Sequence, residues 1–196
     1  MEQKKKIKKG QRKKFFEVSV PLTSFKVNLY EYAPEYLENK IIKLDLTKSL
    51  RGKSLELKSK VKLKNDKLTA EIISLNLISS YIKRVMRKGI DYVEDSFELL
   101  SKDHKIRIKT FMITRKRVSR KVRKAIRDNA RKYLISKART RKTEELFSEI
   151  ISNKIQKELS LKTKKIYPLA LCEIRMIEII KNLEKKENLP KRKDEQ

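Results

Sequence analysis

Residues 115–142 read RKRVSRKVRKAIRDNARKYLISKARTRK. Within them Val118, Val122, Ala125, Ile126, Asn129, Tyr133 and Leu134 recur at spacings of three and four, which is one face of an α-helix. Nearly everything off that stripe is basic: fourteen Lys and Arg stand against Asp128 alone, a net +13. Such a helix can lay a narrow apolar seam on a sheet. Arg120, Lys121, Arg123, Lys124, Arg127, Arg131 and Lys132 would then fan outward, with Arg115, Lys116 and Arg117 leading into the helix.

The sheet is legible upstream, where the apolar period changes to two. In Leu55 to Leu63 the residues Leu55, Leu57, Val61 and Leu63 share one face, while Glu56, Lys58, Lys60 and Lys62 share the other. The polar stretch 64–67 separates this strand from Leu68 to Leu77, where Leu68, Ala70 and Ile72 resume the alternation, so a hairpin is expected. Phe15 to Val20, Phe25 to Tyr32 and Lys40 to Leu46 are further strand candidates. Tyr92 to Leu100 and Lys105 to Ile113 form a second expected hairpin around Ser101-Lys102-Asp103-His104. His104, the only histidine, is expected in that turn, where the left-handed backbone suits Asp and His better than most residues.

Between the hairpins, Tyr81, Ile82, Val85 and Met86 have helical spacing, so a short helix is expected over Ser79 to Lys88 with Gly89 as its C-terminal cap. Its outer face would carry Lys83, Arg84, Arg87 and Lys88, either as a second phosphate-facing patch or as a solvated surface. After the basic helix, a second helix is expected from Glu144 to Leu159, capped by Thr143 and lined by Leu146, Phe147, Ile150, Ile151, Ile155 and Leu159. Balanced in charge, it reads as a packing helix. Past Tyr167-Pro168, residues 169–183 alternate like a strand at Cys172, Ile174 and Met176, yet Leu169, Cys172, Met176, Ile179 and Leu183 could line a helix. Periodicity leaves both open.

The reading is α+β: an antiparallel sheet or open barrel of short strands, a long basic helix and a second packing helix. One domain is expected over residues 15–183, between a disordered basic arm (1–14) and a charged tail (184–196).

Charge narrows the partners. The 196 residues carry 53 Lys and Arg against 25 Asp and Glu, a formal +28. The arm contributes Lys4, Lys5, Lys6, Lys8, Lys9, Arg12, Lys13 and Lys14 against Glu2, a net +7. The arm and the basic helix together hold +20 of the total. A run of like charge repels itself, and it can order against phosphate or remain a solvated tail or localisation-like signal. Binding that neutralises phosphates releases counterions, so a nucleic acid fits such a surface, and arginine-rich character favours structured RNA. Anionic membranes, acidic proteins and a calmodulin-type receptor would respond to the same field.

Chemistry finds little purchase. Gly10, Gly52 and Gly89 are too scattered for a phosphate-cradling loop. One His and one Cys cannot build a histidine-based triad or an ordinary zinc site, and Cys172 reads as a small buried apolar residue in a reducing compartment. Glu144-Glu145 suit the first turn of a helix. No catalytic residue, metal or cofactor is expected. No apolar run spans a bilayer and no secretory h-region follows the basic N-terminus, so a cytoplasmic location is expected.

Three segments carry a resemblance: Lys164-Lys165-Ile166-Tyr167-Pro168-Leu169 with Glu173-Ile174-Arg175, Ser80-Tyr81-Ile82-Lys83-Arg84, and Thr114-Arg115-Lys116-Arg117 entering the basic helix. In this order, over about residues 13–183, the chain resembles the archaeal and eukaryotic small-ribosomal-subunit family S-three-A-e, also called eS-one, and looks more archaeal. It departs from the family pattern at Phe15-Phe16, where a tryptophan and an aromatic are usual, at Asn39-Lys40 for Gly-Arg, and at Asp103-His104 for Asp-Gly. The resemblance implies a strand over 169–180 and a structural role on the platform of the small subunit near the messenger exit. The implied partners are ribosomal RNA, neighbouring ribosomal proteins and messenger RNA at the exit, with no membrane and no small-molecule substrate. A free RNA chaperone or translational regulator is the alternative.

Overall fold

The computed structural model describes residues 12–23, 26–48, 50, 53–64 and 67–182. The expected disorder of arm residues 1–11 and of tail residues 184–196 lies outside the described residues. The chain falls into two compact units that divide after Tyr81.

In the first unit, β1 (Lys14–Ser19) pairs antiparallel with β2 (Lys26–Glu31) in the register Phe15↔Tyr30. β3 (Ile41–Asp45) pairs antiparallel with β4 (Leu55–Lys64), which forms the expected hairpin with β5 (Lys67–Leu77). One parallel bridge, Ser19↔Thr69, joins β1 to β5. Val18, Leu37, Leu46, Leu55, Leu57, Val61, Ala70 and Leu75 form the buried interior. The expected alternation breaks within β5: Leu68 and Ala70 are buried and Ile72 only half-buried, whereas Leu75 and Leu77 are buried. A register shift opposite Lys58 and Ser59 is the cause, because one extra residue moves every later side chain to the other face. Leu63 is also only half-buried. Asn39 has φ 63°, the left-handed conformation for which a glycine is the easiest occupant.

α1 (Ser79–Val85) ends sooner than its spacing suggests. Gly89 has φ 84° but sits in the turn beyond, so it is not the residue that caps the helix.

In the second unit β6 (Tyr92–Leu100), β7 (His104–Thr114) and β8 (Leu169–Asn182) form an antiparallel series in that order. The segment from 169 is thus a strand, as the resemblance implies. Cys172 is half-buried on β8, not fully enclosed as expected. His104 opens β7 with an ordinary negative φ, and its Nδ1 lies 2.9 Å from Thr143 Oγ1. It latches the hairpin to the next helical layer.

That layer is α2 (Arg120–Thr140), α3 (Thr143–Ile151) and α4 (Lys154–Lys164). The single helix expected over 144–159 is broken. Asn153 stands at φ 60°, ψ 16°, which a right-handed helix cannot accommodate. Gln156 is buried, and its Nε2 donates at 3.0 Å to the Ile150 carbonyl, which also accepts from the Asn153 amide at 3.2 Å, bracing the end of α3. Thr143 is the first residue of α3 and not its cap; Lys142 precedes it without a side-chain cap bond. Ile126, Ala130, Tyr133, Leu134 and Ala138 bury the inner face of α2, and Leu146, Phe147, Ile150, Ile155 and Leu159 bury those of α3 and α4.

Candidate nucleic-acid interface

The candidate surface begins with the strap that carries the chain from β7 into α2. Thr114 is fully buried; its Oγ1 lies 2.8 Å from both the Asp91 and Lys116 carbonyls, while the Asp91 amide donates back to it at 3.2 Å. Asp91 Oδ2 accepts from the Val118 amide at 2.9 Å. This knot fixes the backbone on both sides of Arg115, Lys116 and Arg117, whose side chains all stand in solvent. Ser119 then caps α2, its hydroxyl accepting from the Val122 amide at 3.4 Å.

The first turn of α2 contains no acidic residue. Arg120 and Lys121 therefore add their charges to the positive end of the helix dipole. Arg120, Lys121, Lys124, Arg127 and Lys132 are exposed and Arg123 is half-buried. Among the described residues none of these six forms an ion pair, and neither do Arg115, Lys116 and Arg117. The strap and the first two-thirds of α2 are a ribbon of uncompensated cations.

Three other cations of the 115–142 stretch are committed within the fold. Arg131 reaches β6, donating from Nε and Nη2 to the two Asp95 oxygens at 3.1 and 2.9 Å, with its guanidinium carbon 5.3 Å from the Phe97 ring centroid. Asp95 raises Arg131 above the ordinary guanidinium value. Lys137 donates to Glu158 Oε2 at 2.8 Å, the same oxygen that accepts from the Tyr133 hydroxyl at 2.5 Å. Arg141 pairs with Glu149, and its carbonyl accepts from Ser101 Oγ at 2.6 Å. These contacts dock α2 on β6, α3 and α4.

Sequence reasoning missed the basic character of α4. Because Asn153 divides the supposed balanced helix, Glu144, Glu145 and Glu149 fall on α3, whereas α4 carries Lys154, Lys157, Lys162 and Lys164 against Glu158 alone. A cleft of about 540 Å³ between α2 and the end of α4 brings Lys132 together with Lys162 and Lys165, with Asp128 also on its wall. The signal was present in Lys162-Thr163-Lys164-Lys165, outside the range assigned to a helix.

Elsewhere, Lys83, Arg84, Arg87 and Lys88 are all exposed, the last two beyond the end of α1. In the first unit Arg12 and Lys14 are exposed and Lys13 is half-buried. Lys4, Lys5, Lys6, Lys8 and Lys9 lie outside the described residues. Among the described residues no group of three or more His, Cys, Asp and Glu could hold a metal ion, and no helix is long and apolar enough to cross a membrane.

Comparison with known proteins gives the surface a context. Residues 1–182 match the Ribosomal S3Ae family. The small ribosomal subunit protein eS1 of Nanoarchaeum equitans is 27% identical over 179 residues, covering 87% of this chain and 90% of the relative. That of Desulfurococcus amylolyticus is 26% identical over 174 residues, covering 85% and 82%. That of Methanothermobacter thermautotrophicus is 29% identical over 107 residues, about half of each chain.

Proposed function

The chain belongs to the Ribosomal S3Ae family, and from that premise we propose that its strap, basic helix and N-terminal arm are the surfaces by which it grips ribosomal RNA on the platform of the small subunit, near the messenger exit. As a member of that family it is a structural protein of the small ribosomal subunit, in the cytoplasm, and not an enzyme. Its role there entails binding to ribosomal RNA and to neighbouring ribosomal proteins.

The observation that carries the proposal is the ribbon of nine cations from Arg115 to Lys132 with no carboxylate partner among the described residues. A fold that matches other cations to Glu and Asp, as at Arg131, Lys137 and Arg141, leaves eight of these nine exposed and Arg123 half-buried. Phosphate contacts would supply most of the affinity and set the orientation, with little reading of base sequence. Lys83, Arg84, Arg87 and Lys88 add a second contact, and messenger RNA leaving the subunit is a further polyanion within the proposed neighbourhood.

Sedimentation through a sucrose gradient tests this reading. The tagged chain should travel with small subunits at raised salt. Recovery only at the top of the gradient would favour a free RNA chaperone or regulator instead, and flotation with anionic vesicles would favour a membrane surface.

A further inference from the structure

The hairpin of β1 and β2 carries an aromatic surface that neither the fold nor the basic helix accounts for. Phe15 and Tyr30 face each other across the strands with ring centroids 4.8 Å apart, and they remain 72% and 53% exposed. Side chains of the opposite face, Phe16, Val18, Val27 and Leu29, are half-buried or buried, so the hairpin already has its inner apolar side. A cross-strand aromatic pair stiffens a hairpin. That role does not call for the basic surroundings found here.

Lys13 Nζ sits 5.0 Å from the Tyr32 ring centroid and 5.9 Å from that of Tyr30, and Arg12 and Lys14 are exposed beside it in the chain. Both carboxylates of the hairpin are matched by cations. Glu17 pairs with Lys26 at 2.7 Å, and Glu31 pairs with Lys40 at 2.6 Å and more loosely with Lys13 at 3.8 Å. Exposed rings beside phosphate-seeking cations are the chemistry that holds a single-stranded nucleic acid, whose bases stack on the rings while the backbone follows the charge.

We infer that Phe15 and Tyr30 form a stacking platform for an unpaired base of small-subunit ribosomal RNA, with Arg12, Lys13 and Lys14 beside it holding the adjoining phosphates. The inference rests on the RNA-binding reading given above and adds a site where bases, not only phosphates, are touched. The resident RNA is taken as the occupant because the exposed cations Arg12 and Lys14 beside the rings complement phosphate, and ribosomal RNA is the polyanion that a protein of this family binds as a structural partner.

The test compares a labelled oligouridylate with an abasic strand of equal phosphate count, both titrated against the full chain, with duplex RNA as a third ligand. The base-bearing strand should bind more tightly than the abasic one. Replacing both rings, Phe15→Ala with Tyr30→Ala, should weaken it about tenfold while leaving the abasic strand, the duplex and the salt slope unchanged. Phe15→Trp with Tyr30→Phe should restore binding, which a lost structural role would not explain in a variant of unchanged circular dichroism. Ultraviolet crosslinking in small subunits stripped of messenger should join this hairpin to ribosomal RNA. Equal binding of the base-bearing and abasic strands overturns the inference and leaves the basic-helix reading standing. Failure to bind any of the three RNAs overturns both. A crosslink that needs messenger, or one that joins the hairpin only to a neighbouring protein, also overturns it.

Discussion

Arg131 holds Asp95 by a two-pronged hydrogen bond, Nε to Oδ2 at 3.1 Å and Nη2 to Oδ1 at 2.9 Å, and so ties the middle of α2 to β6. The Asp95 side chain is only 9% exposed, which makes the guanidinium its main counterpart. Charge alone gives Arg131 and Arg127 the same standing on the helix; geometry separates them. Arg131→Gln should lower stability by about 1 kcal/mol, because a largely enclosed carboxylate loses its partner. Arg127→Gln should leave stability unchanged and weaken RNA binding. Thermal unfolding and RNA titration of the two variants make the comparison.

The strap depends on one buried hydroxyl. Thr114→Val keeps the shape of the side chain but removes the link between Asp91 and Lys116, so the strap should loosen without any change of charge. Hydrogen exchange at the Val118 amide should speed up, and RNA affinity should fall severalfold with the salt slope preserved. An unaltered exchange rate would show that the knot does not order the strap.

Asn153 separates α3 from α4 through its left-handed backbone. Asn153→Gly should be nearly neutral, since glycine takes that conformation freely, whereas Asn153→Val should cost about 1–2 kcal/mol. Equal melting temperatures for the two variants would contradict this account of the break.

Tyr133, Glu158 and Lys137 give stability a pH dependence with two opposite limbs. The Lys137 ammonium, and after it the Tyr133 hydroxyl, hold the Glu158 carboxyl below its ordinary value. That stabilisation is complete above the unfolded value of about 4.3 and is lost as pH falls through the depressed folded value. Burial first, and then the bond to Glu158, push the Tyr133 phenol upward. Its contribution is complete below about pH 10 and is lost as pH rises through the raised value. Denaturant titrations across pH should show Glu158→Gln flattening the acid limb and Tyr133→Phe flattening the alkaline one.

Much of this architecture was legible in the residues. The alternation of Leu55, Leu57 and Val61 marks a strand because one face is buried, and Val122, Ile126, Tyr133 and Leu134 mark α2 because only one seam packs. The break at Asn153 was hidden because Ile150, Ile151 and Ile155 keep a helical spacing across it, and a single left-handed residue leaves little trace in a hydrophobic pattern. The bulge in β5 was equally silent, since an extra residue changes parity without changing composition. Residues 169–182 fit both periods, and only pairing with β7 makes them a strand. Among the cations, the sequence shows where charge is dense, but not that Arg131, Lys137 and Arg141 have carboxylates waiting on β6, α4 and α3.

The central claim is that the uncompensated cations of the strap and α2 meet RNA phosphates, and the salt dependence of binding measures it most directly. Replacing Arg120, Arg123, Lys124 and Arg127 with Gln leaves the Arg131 anchor in place. Affinity for small-subunit RNA should fall, and the slope of log affinity against log salt should become shallower by about 3, one counterion-release increment for each lost phosphate contact. A variant that keeps the original slope would contradict the claim, because its missing cations would then have released no counterions.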